Sequence, residues 1–129
     1  MSKIKGKETK SEILVRKYIF SKGFRYRKNV RKLPGTPDIV LSKYKTIIFI
    51  HGCFWHLHQE CKEGRLPKSN VEYWKTKLER NVQRDLNNIA LLESMGWKVI
   101  VIWECELKKA DDKITRLEKL ILEIKNKDI

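Results

Sequence analysis

The sequence predicts a mixed α/β fold, with a central mixed sheet flanked by helices. Two continuous apolar runs rich in β-branched residues are typical of buried strands: 46–50, predicted to be central, and 98–103. Three segments with helical periodicity lie before, between and after these runs. The resulting order, α-β-β-β-α-β-α, predicts one compact domain that covers residues 1–129.

The amino-terminal half supplies the first helix and three strands. Residues 9–12, TKSE, have the spacing of a capping box, which predicts a helix from about Lys10 to Gly23. The partly alternating segment from Phe24 to Val30 predicts a strand, and LPGTP at 33–37 predicts a break. A short strand at 38–41, a hairpin-length turn and the apolar run 46–50 complete this half.

The carboxy-terminal half supplies two further helices around one strand. Residues 69–72, SNVE, form a second capping-box pattern before a long helix that Gly96 ends. Its apolar stripe consists of Val71, Leu78, Val82, Ile89 and Leu92. The strand 98–103 follows, and a last helix is marked by Ile114, Leu117, Ile121 and Ile124.

The charge balance predicts a polyanionic partner. Lys and Arg total 29 against 16 Asp and Glu, which gives a net charge of +13 and favours DNA or RNA. No apolar run approaches the roughly 18–20 residues of a membrane span. The basic start, MSKIKGKETK, lacks the apolar core of a signal peptide. We therefore expect a cytoplasmic protein whose three cysteines are reduced thiols or metal ligands.

The segment HGCFWHLHQEC, residues 51–61, concentrates the metal-ligating side chains. It contains all three histidines and two of the three cysteines. If the strands 46–50 and 98–103 are neighbours, Cys53, Cys61 and Cys105 meet at one edge of the sheet. Together with one histidine they suit tetrahedral Zn²⁺, and a closed set of four protein ligands makes that zinc structural. Spacing alone leaves His56 and His58 equally good as the histidine ligand.

Several acidic residues are candidates for a catalytic site. Asp38 follows a proline at the start of a strand, where a carboxylate can hold Mg²⁺, although a simple turn aspartate explains the same pattern. The Glu-x-Lys motif that often accompanies such an aspartate is missing from the next strand. His51 and His56 are candidates for proton transfer instead. Asp85 falls on the apolar stripe of the long helix and predicts a buried partner, and Glu12 fits either capping or catalysis.

Four blocks taken together resemble the very short patch repair (Vsr) DNA mismatch endonucleases. They are LPGTPD at 33–38, IHGCFWH at 50–56, NVQRD at 81–85 and WEC at 103–105. The likeness runs from Met1 to about Leu107. It implies a restriction-endonuclease-like fold with a structural zinc site. It also implies Mg²⁺-dependent cleavage of one strand on the 5′ side of the thymine in a T·G mismatch, which arises when 5-methylcytosine deaminates.

The resemblance also assigns roles to individual residues. Asp38 matches the Mg²⁺-binding aspartate, and Ile50 lies where a backbone carbonyl contacts the metal. His51 and His56 match the active-site histidines, Asp85 an acid that supports one of them, and Glu12 an acid near the catalytic centre. The structural zinc ligands of the family match Cys53, His58, Cys61 and Cys105. The DNA-binding positions match Met1, on the minor-groove side, and the major-groove aromatics Phe54, Trp55 and Trp74.

The resemblance further implies a monomer that acts on double-stranded DNA, with a functional link to a DNA cytosine methyltransferase and mismatch-repair proteins. The expected setting is the cytoplasm of a bacterium or phage host, at the nucleoid. Two other functions fit the sequence. One is a restriction-like nuclease that cuts matched DNA, and the other is a zinc-stabilised DNA-binding module without catalysis.

Overall fold

The computed structural model describes residues 10–53 and 68–125, which form a mixed four-stranded sheet with helices on both faces. The elements are α1 (Lys10–Ser21), β1 (Arg27–Lys28), β2 (Ile39–Leu41), β3 (Thr46–His51), α2 (Val71–Ser94), β4 (Lys98–Trp103) and α3 (Ala110–Lys125). Short 3₁₀ helices follow β2 (Ser42–Tyr44) and β4 (Glu104–Leu107). The predicted order of helices and strands is confirmed.

The strand order is β1-β2-β3-β4, so that β3 lies inside the sheet. Strand β1 pairs antiparallel with β2, and β2 pairs antiparallel with β3, whereas β3 and β4 are parallel. Their register runs from Thr46 opposite Lys98 to His51 opposite Trp103. The carboxyl ends of the two longest strands therefore lie side by side, as the sequence predicted, and the segments that follow them leave from one edge.

Alternate residues of β3 pack into two separate cores. Ile48 and Ile50 face α1 and α3, where they pack with residues such as Val15 and Leu120. Ile47 and Phe49 lie in the other core, which contains Leu92 of α2. Every residue of β3 is buried, because helices cover both faces of the strand. By the same alternation, His51 follows Phe49 onto the α2 side.

Glycines end two of the helices as predicted. After α1, the amide of Phe24 donates to the carbonyl of Ile19 at 3.1 Å, and Gly23 between them has φ of 91°. After α2, the amide of Trp97 donates to Leu92 in the same way, with Gly96 at φ of 95°. Both are Schellman-type ends that need the left-handed conformation glycine adopts most easily.

Three local predictions are wrong. The second capping box does not form, because α2 begins after Asn70, which has φ of 55° and makes no side-chain capping hydrogen bond. The strand predicted over 24–30 is reduced to Arg27–Lys28, although single backbone hydrogen bonds continue beyond it at Asn29 and Val30. Val71 and Ile114, expected on buried stripes, are exposed. No helix among the described residues is long and apolar enough to cross a membrane.

Candidate active site

A cleft of about 220 Å³ opens beside the carboxyl end of β3. Its walls come from α1, from the loop before β2, from β3 and from the middle of α2. The lining residues are Glu12, Gly35, Thr36, Asp38, Phe49, Ile50, His51, Asp85, Asn88 and Ile89. Four of the five residues predicted to be catalytic, Glu12, Asp38, His51 and Asp85, are thus in one place, although 73 positions separate the first from the last.

Asp38 is fixed between two neighbouring strands. Its Oδ2 accepts a hydrogen bond from the backbone amide of Ile50 at 2.7 Å. Its own carbonyl accepts the amide of Asn29 at 3.2 Å, which holds the backbone just before β2. With its carboxylate bonded to β3 and its main chain bonded to the residue after β1, Asp38 has a fixed position, and rigid support of this kind is what a metal-binding or catalytic group requires.

Glu12 approaches Asp38 from α1 and is paired with an arginine one turn later. Arg16 Nη1 lies 3.6 Å from Glu12 Oε1, and both side chains are only 5% exposed. Glu12 also lies close enough to Asp38 for its charge and a carboxyl–carboxyl hydrogen bond to raise the pKa of Asp38. A hydrogen bond between two carboxyl groups requires a proton, so the pair is suited to sharing either a proton or a cation.

The environment raises the pKa of Asp38 to about 7. Burial of the carboxyl group is the largest cause, and the amide of Ile50 opposes it by stabilising the charged form. The nearby charge and hydrogen bond of Glu12 raise the pKa further, while Arg16 lowers it. The cleft therefore brings acidic groups together in a place where ionisation of Asp38 is unfavourable, and a bound cation would favour the ionised form.

His51, the last residue of β3, is buried at the mouth of the same cleft. Its ring lies 5.2 Å from that of Trp103, in an edge-to-face arrangement, and 5.6 Å from that of Phe49. Trp103 is its register partner on β4. The two aromatic neighbours restrict the imidazole plane, so His51 presents a defined edge to any group bound in the cleft.

The loop before β2 closes one side of the cleft in a strained conformation. Gly35 and the following Thr36 both have positive φ, 78° and 46°. A Cβ on Gly35 would lie 3.1 Å from Asn88 Nδ2 and 3.2 Å from Phe49 Cζ. This glycine is therefore needed both for its backbone angle and for the close packing of the loop on α2.

The opposite wall is one face of α2. Asp85, Asn88 and Ile89 are spaced i, i+3 and i+4, and all three line the cleft. Asp85 is half-buried, as expected for an acid at the edge of the apolar stripe. Asp85 and His51 line the same cleft.

The predicted zinc ligands are divided between described and undescribed parts of the chain. Cys53 is buried two residues beyond His51. Cys105 is half-buried two residues beyond Trp103, in a 3₁₀ helix whose start is held by a 2.8 Å bond from the amide of Trp103 to Glu106. Because His51 and Trp103 are register partners, the two cysteines leave the sheet from equivalent positions.

Six predicted residues lie outside the described ranges: Met1, Phe54, Trp55, His56, His58 and Cys61. Trp74 is described, and it lies half-buried in the first turn of α2 with its ring 5.2 Å from the exposed ring of Tyr73. Trp74 is not among the residues that line the cleft. Within residues 10–53 and 68–125, no three His, Cys, Asp or Glu side chains cluster as a ready metal site.

Sequence reasoning missed Arg16, Thr36 and Asn88. Arg16 carried one usable signal, since it lies four residues after Glu12, which is the spacing of a helical ion pair. Asn88 lies three residues after Asp85, on the same helical face. The positions of Thr36 and Asn88 in the cleft wall, and of Arg16 behind Glu12, depend on how the helices pack against the sheet.

Comparison with known proteins finds relatives that cover nearly the whole chain and are all named as nicking enzymes or mismatch endonucleases. A family model described as "DNA mismatch endonuclease Vsr" matches residues 1–63. The type II nicking enzyme V.NmeAIP of Neisseria meningitidis is 56% identical over 126 residues, which cover 98% of this chain and 89% of the relative. The type II nicking enzyme V.XorIIP of Xanthomonas oryzae is 42% identical, covering 94% of this chain and 88% of the relative. The DNA mismatch endonuclease Vsr of Escherichia coli is 37% identical, covering 94% and 80%.

Proposed function

Since the chain belongs to the Vsr family of DNA mismatch endonucleases, we propose that it nicks one DNA strand on the 5′ side of the thymine in a T·G mismatch, with Mg²⁺ as cofactor. In this proposal the nick starts the repair of deaminated 5-methylcytosine. The mixed four-stranded sheet with helices on both faces supports a restriction-endonuclease-like fold, which is part of this proposal. DNA cleavage is the family's activity, whereas the mismatch and the metal are specific to the proposal.

The observation that carries the proposal is the convergence of Asp38, Glu12, Asp85 and His51 in one cleft. Three acids and an imidazole, together with a strained loop, form a site suited to phosphodiester hydrolysis rather than to binding alone. A DNA-binding surface without catalysis has no use for a cluster of buried and half-buried acids, because they repel phosphate groups. This argues against the module that binds DNA without cutting it.

The residues of the cleft fit Mg²⁺. The ion prefers hard oxygen ligands and keeps several of its waters, so it needs only one or two carboxylates from the protein. Asp38 would hold it together with the backbone carbonyl of Ile50, and Glu12 lies close enough to Asp38 to share the same ion or one of its waters. A bound Mg²⁺ activates water and stabilises negative charge on the phosphate.

The other residues of the site would orient the two acids and transfer protons to or from the phosphate. The amide of Ile50 fixes the carboxylate of Asp38 by a hydrogen bond, and the ion pair with Arg16 holds Glu12 in place beside Asp38. In this proposal His51, which lies near two aromatic rings, would donate or accept a proton at the phosphate oxygens, and Asp85 in the same cleft would support it. His56 is the second proton-transfer candidate.

A structural zinc ion completes the proposal. Cys53 and Cys105 leave neighbouring parallel strands at equivalent positions, which suits two ligands of one tetrahedral site. His58 and Cys61 would supply the other two ligands. Their zinc would fix the segment that carries Phe54 and Trp55, the aromatics proposed to enter the DNA at the mismatch, where a wobble pair opens at lower cost than a matched pair.

A nicking assay on labelled duplexes tests the function. The duplexes differ only at one T·G or T·A pair, in several flanking contexts, with Mg²⁺ or with chelator. The parent protein is compared with Asp38→Asn and with Asp112→Asn, an exposed aspartate on α3 that serves as the matched control.

We expect one cut on the 5′ side of the mismatched thymine, only with Mg²⁺, in the parent and in Asp112→Asn. Asp38→Asn should lose at least about 100-fold in rate, since it lacks the charge that holds the metal. Equal cutting of matched DNA would move the protein to the restriction-like alternative. Tight binding with no cut in any context would overturn the catalytic proposal.

A further inference from the structure

A basic segment of the chain lies outside the cleft and has no role in the chemistry proposed above. It extends from the end of α1 through β1 to the loop before β2. Residues 22–32 contain Lys22, Arg25, Arg27, Lys28, Arg31 and Lys32, and all six are exposed. No acidic residue occurs between Glu12 and Asp38. A segment of this composition has a positive potential that neighbouring side chains on the same segment do not cancel.

The sheet places this basic segment directly beside the catalytic aspartate. Strand β1 is at the edge of the sheet and pairs with β2, with Lys28 opposite Ile39. The backbone pairing continues beyond the strand, because the amide of Asn29 donates to the carbonyl of Asp38 at 3.2 Å and that of Val30 to Pro37 at 3.3 Å. The segment therefore passes within one strand spacing of Asp38.

The other helices do not carry a comparable charge. In α3 the four cations of residues 110–125 alternate with four acids, and Arg116 is paired with Glu106 and Glu123 at 3.4 and 3.0 Å. In α2 the cations are likewise mixed with acids. The largest excess of cations over acids within one segment of the described structure is thus on this edge, and that edge adjoins the cleft.

We propose that residues 25–32 form a phosphate-binding edge, which holds the backbone of duplex DNA next to the nucleotide bound in the cleft. This proposal rests on the proposed function for the identity of the polyanion. Arg27, Lys28, Arg31 and Lys32 neutralise phosphates without reading bases. Edge strands commonly carry lysine to prevent aggregation, but six cations with no acid exceed what that purpose needs.

The test measures the salt dependence of binding to a matched duplex in chelator, where no cutting occurs. In one variant Arg27, Lys28, Arg31 and Lys32 are all changed to Gln. The control variant changes Lys43, Lys45, Lys119 and Lys125 to Gln, which removes the same charge. Lys43 and Lys45 lie in the β2–β3 hairpin, and Lys125 lies at the end of α3 near Lys98, so these three are at the opposite end of the sheet from His51.

The slope of log K against log salt changes by about 0.9 for each phosphate that the protein no longer neutralises. We expect the magnitude of this slope to fall by about 2–4 in the edge variant, and its affinity to fall at least about ten-fold near 0.1 M salt. In the control the slope should fall by less than about 1. An unchanged slope in the edge variant, or equal reductions in both variants, would overturn the phosphate-binding edge.

A second measurement on the unmodified protein avoids any effect of substitution on folding. Lysine acetylation is mapped with and without duplex DNA. We expect DNA to protect Lys28 and Lys32 several-fold more than Lys43 and Lys119, and equal protection would contradict the proposal. The two proposals fail separately, because loss of the slope effect leaves mismatch nicking intact, and absence of nicking leaves the slope effect measurable.

Discussion

Replacing Arg16 by Met should destabilise the protein strongly, because it leaves the charge of Glu12 buried beside Asp38. The two charges lie 3.6 Å apart, and both side chains are 5% exposed. At an effective dielectric constant of about 20 their attraction is about 5 kcal/mol, part of which offsets the burial of both charges. Removal of one partner from such a pair typically costs about 3–5 kcal/mol.

We therefore expect Arg16→Met to lower the free energy of unfolding by about 3 kcal/mol, which corresponds to about 10 °C in Tm for a domain of this size. Arg16→Lys keeps the charge and should lose about 1 kcal/mol. The double variant Arg16→Met with Glu12→Gln removes both charges and should recover most of the loss. Urea unfolding in chelator, followed by circular dichroism, measures all three.

Arg116 supplies the matched control. Its side chain is 10% exposed, but its partners Glu106 and Glu123 are 35% and 28% exposed, so water can solvate them when the arginine is removed. Arg116→Met should therefore lose only about 1–2 kcal/mol. Added Mg²⁺ should restore part of the stability of Arg16→Met, because it compensates the acids of the cleft, and should not restore Arg116→Met. A loss below about 1 kcal/mol in Arg16→Met, or no rescue by Glu12→Gln, would refute the reasoning.

Three further predictions concern the loop, the aspartate and the zinc site. Gly35→Ala should lose about 2–3 kcal/mol of stability, because its new Cβ meets Asn88 at 3.1 Å in a conformation with positive φ. Gly96→Ala has the same backbone penalty but open space, so a loss below about 1.5 kcal/mol is expected, and equal losses in urea unfolding would exclude the packing effect at Gly35. The raised pKa of Asp38 means that the folded state binds this proton more tightly than the unfolded chain does. As the pH rises from 3.8, the ordinary pKa of an aspartate, to about 7, the metal-free protein should therefore lose stability. Asp38→Asn should remove that pH dependence and be more stable than the parent by about 1–3 kcal/mol near pH 8 in chelator, and an unchanged pH profile would contradict the raised pKa. Cys105→Ser should reduce bound zinc, measured by atomic absorption, from about one ion per chain to well below half, and full retention of zinc would exclude Cys105 as a ligand.

The long-range parts of the fold were predictable where one strong pattern decided them. The apolar, β-branched runs predicted the strands β3 and β4, although β4 lies at the edge of the sheet and only Ile100 and Ile102 in it are buried, and Gly23 and Gly96 end helices as predicted. The second capping box was wrong because a four-residue pattern does not determine the backbone angle of Asn70. The length of β1 depends on what β2 offers, which the sequence of residues 24–30 does not contain.

The candidate site likewise contains residues that the sequence predicted and residues that it did not. The family motifs located Asp38, His51 and Asp85, and the structure brings these three to one cleft with Glu12. The missing Glu-x-Lys pattern obscured the site, because the second carboxylate comes from α1 instead of the neighbouring strand. Arg16 was overlooked because its importance depends on burial, and burial arises only when α1 packs against the sheet.

The hydrogen bond from the amide of Ile50 to Asp38 also provides a spectroscopic reporter. The regular pairing of β2 with β3 runs from Ile39 opposite Ile48 to Leu41 opposite Thr46, and the Ile50 amide lies beyond it and donates to a side chain at 2.7 Å. Hydrogen bonds to ionised carboxylates are short and strong, so the proton resonance of this amide should move as the carboxylate gains or loses a proton or a cation. One peak in a ¹⁵N–¹H spectrum of the isotope-enriched protein then follows the state of the proposed catalytic centre, with no probe group attached and no substrate present.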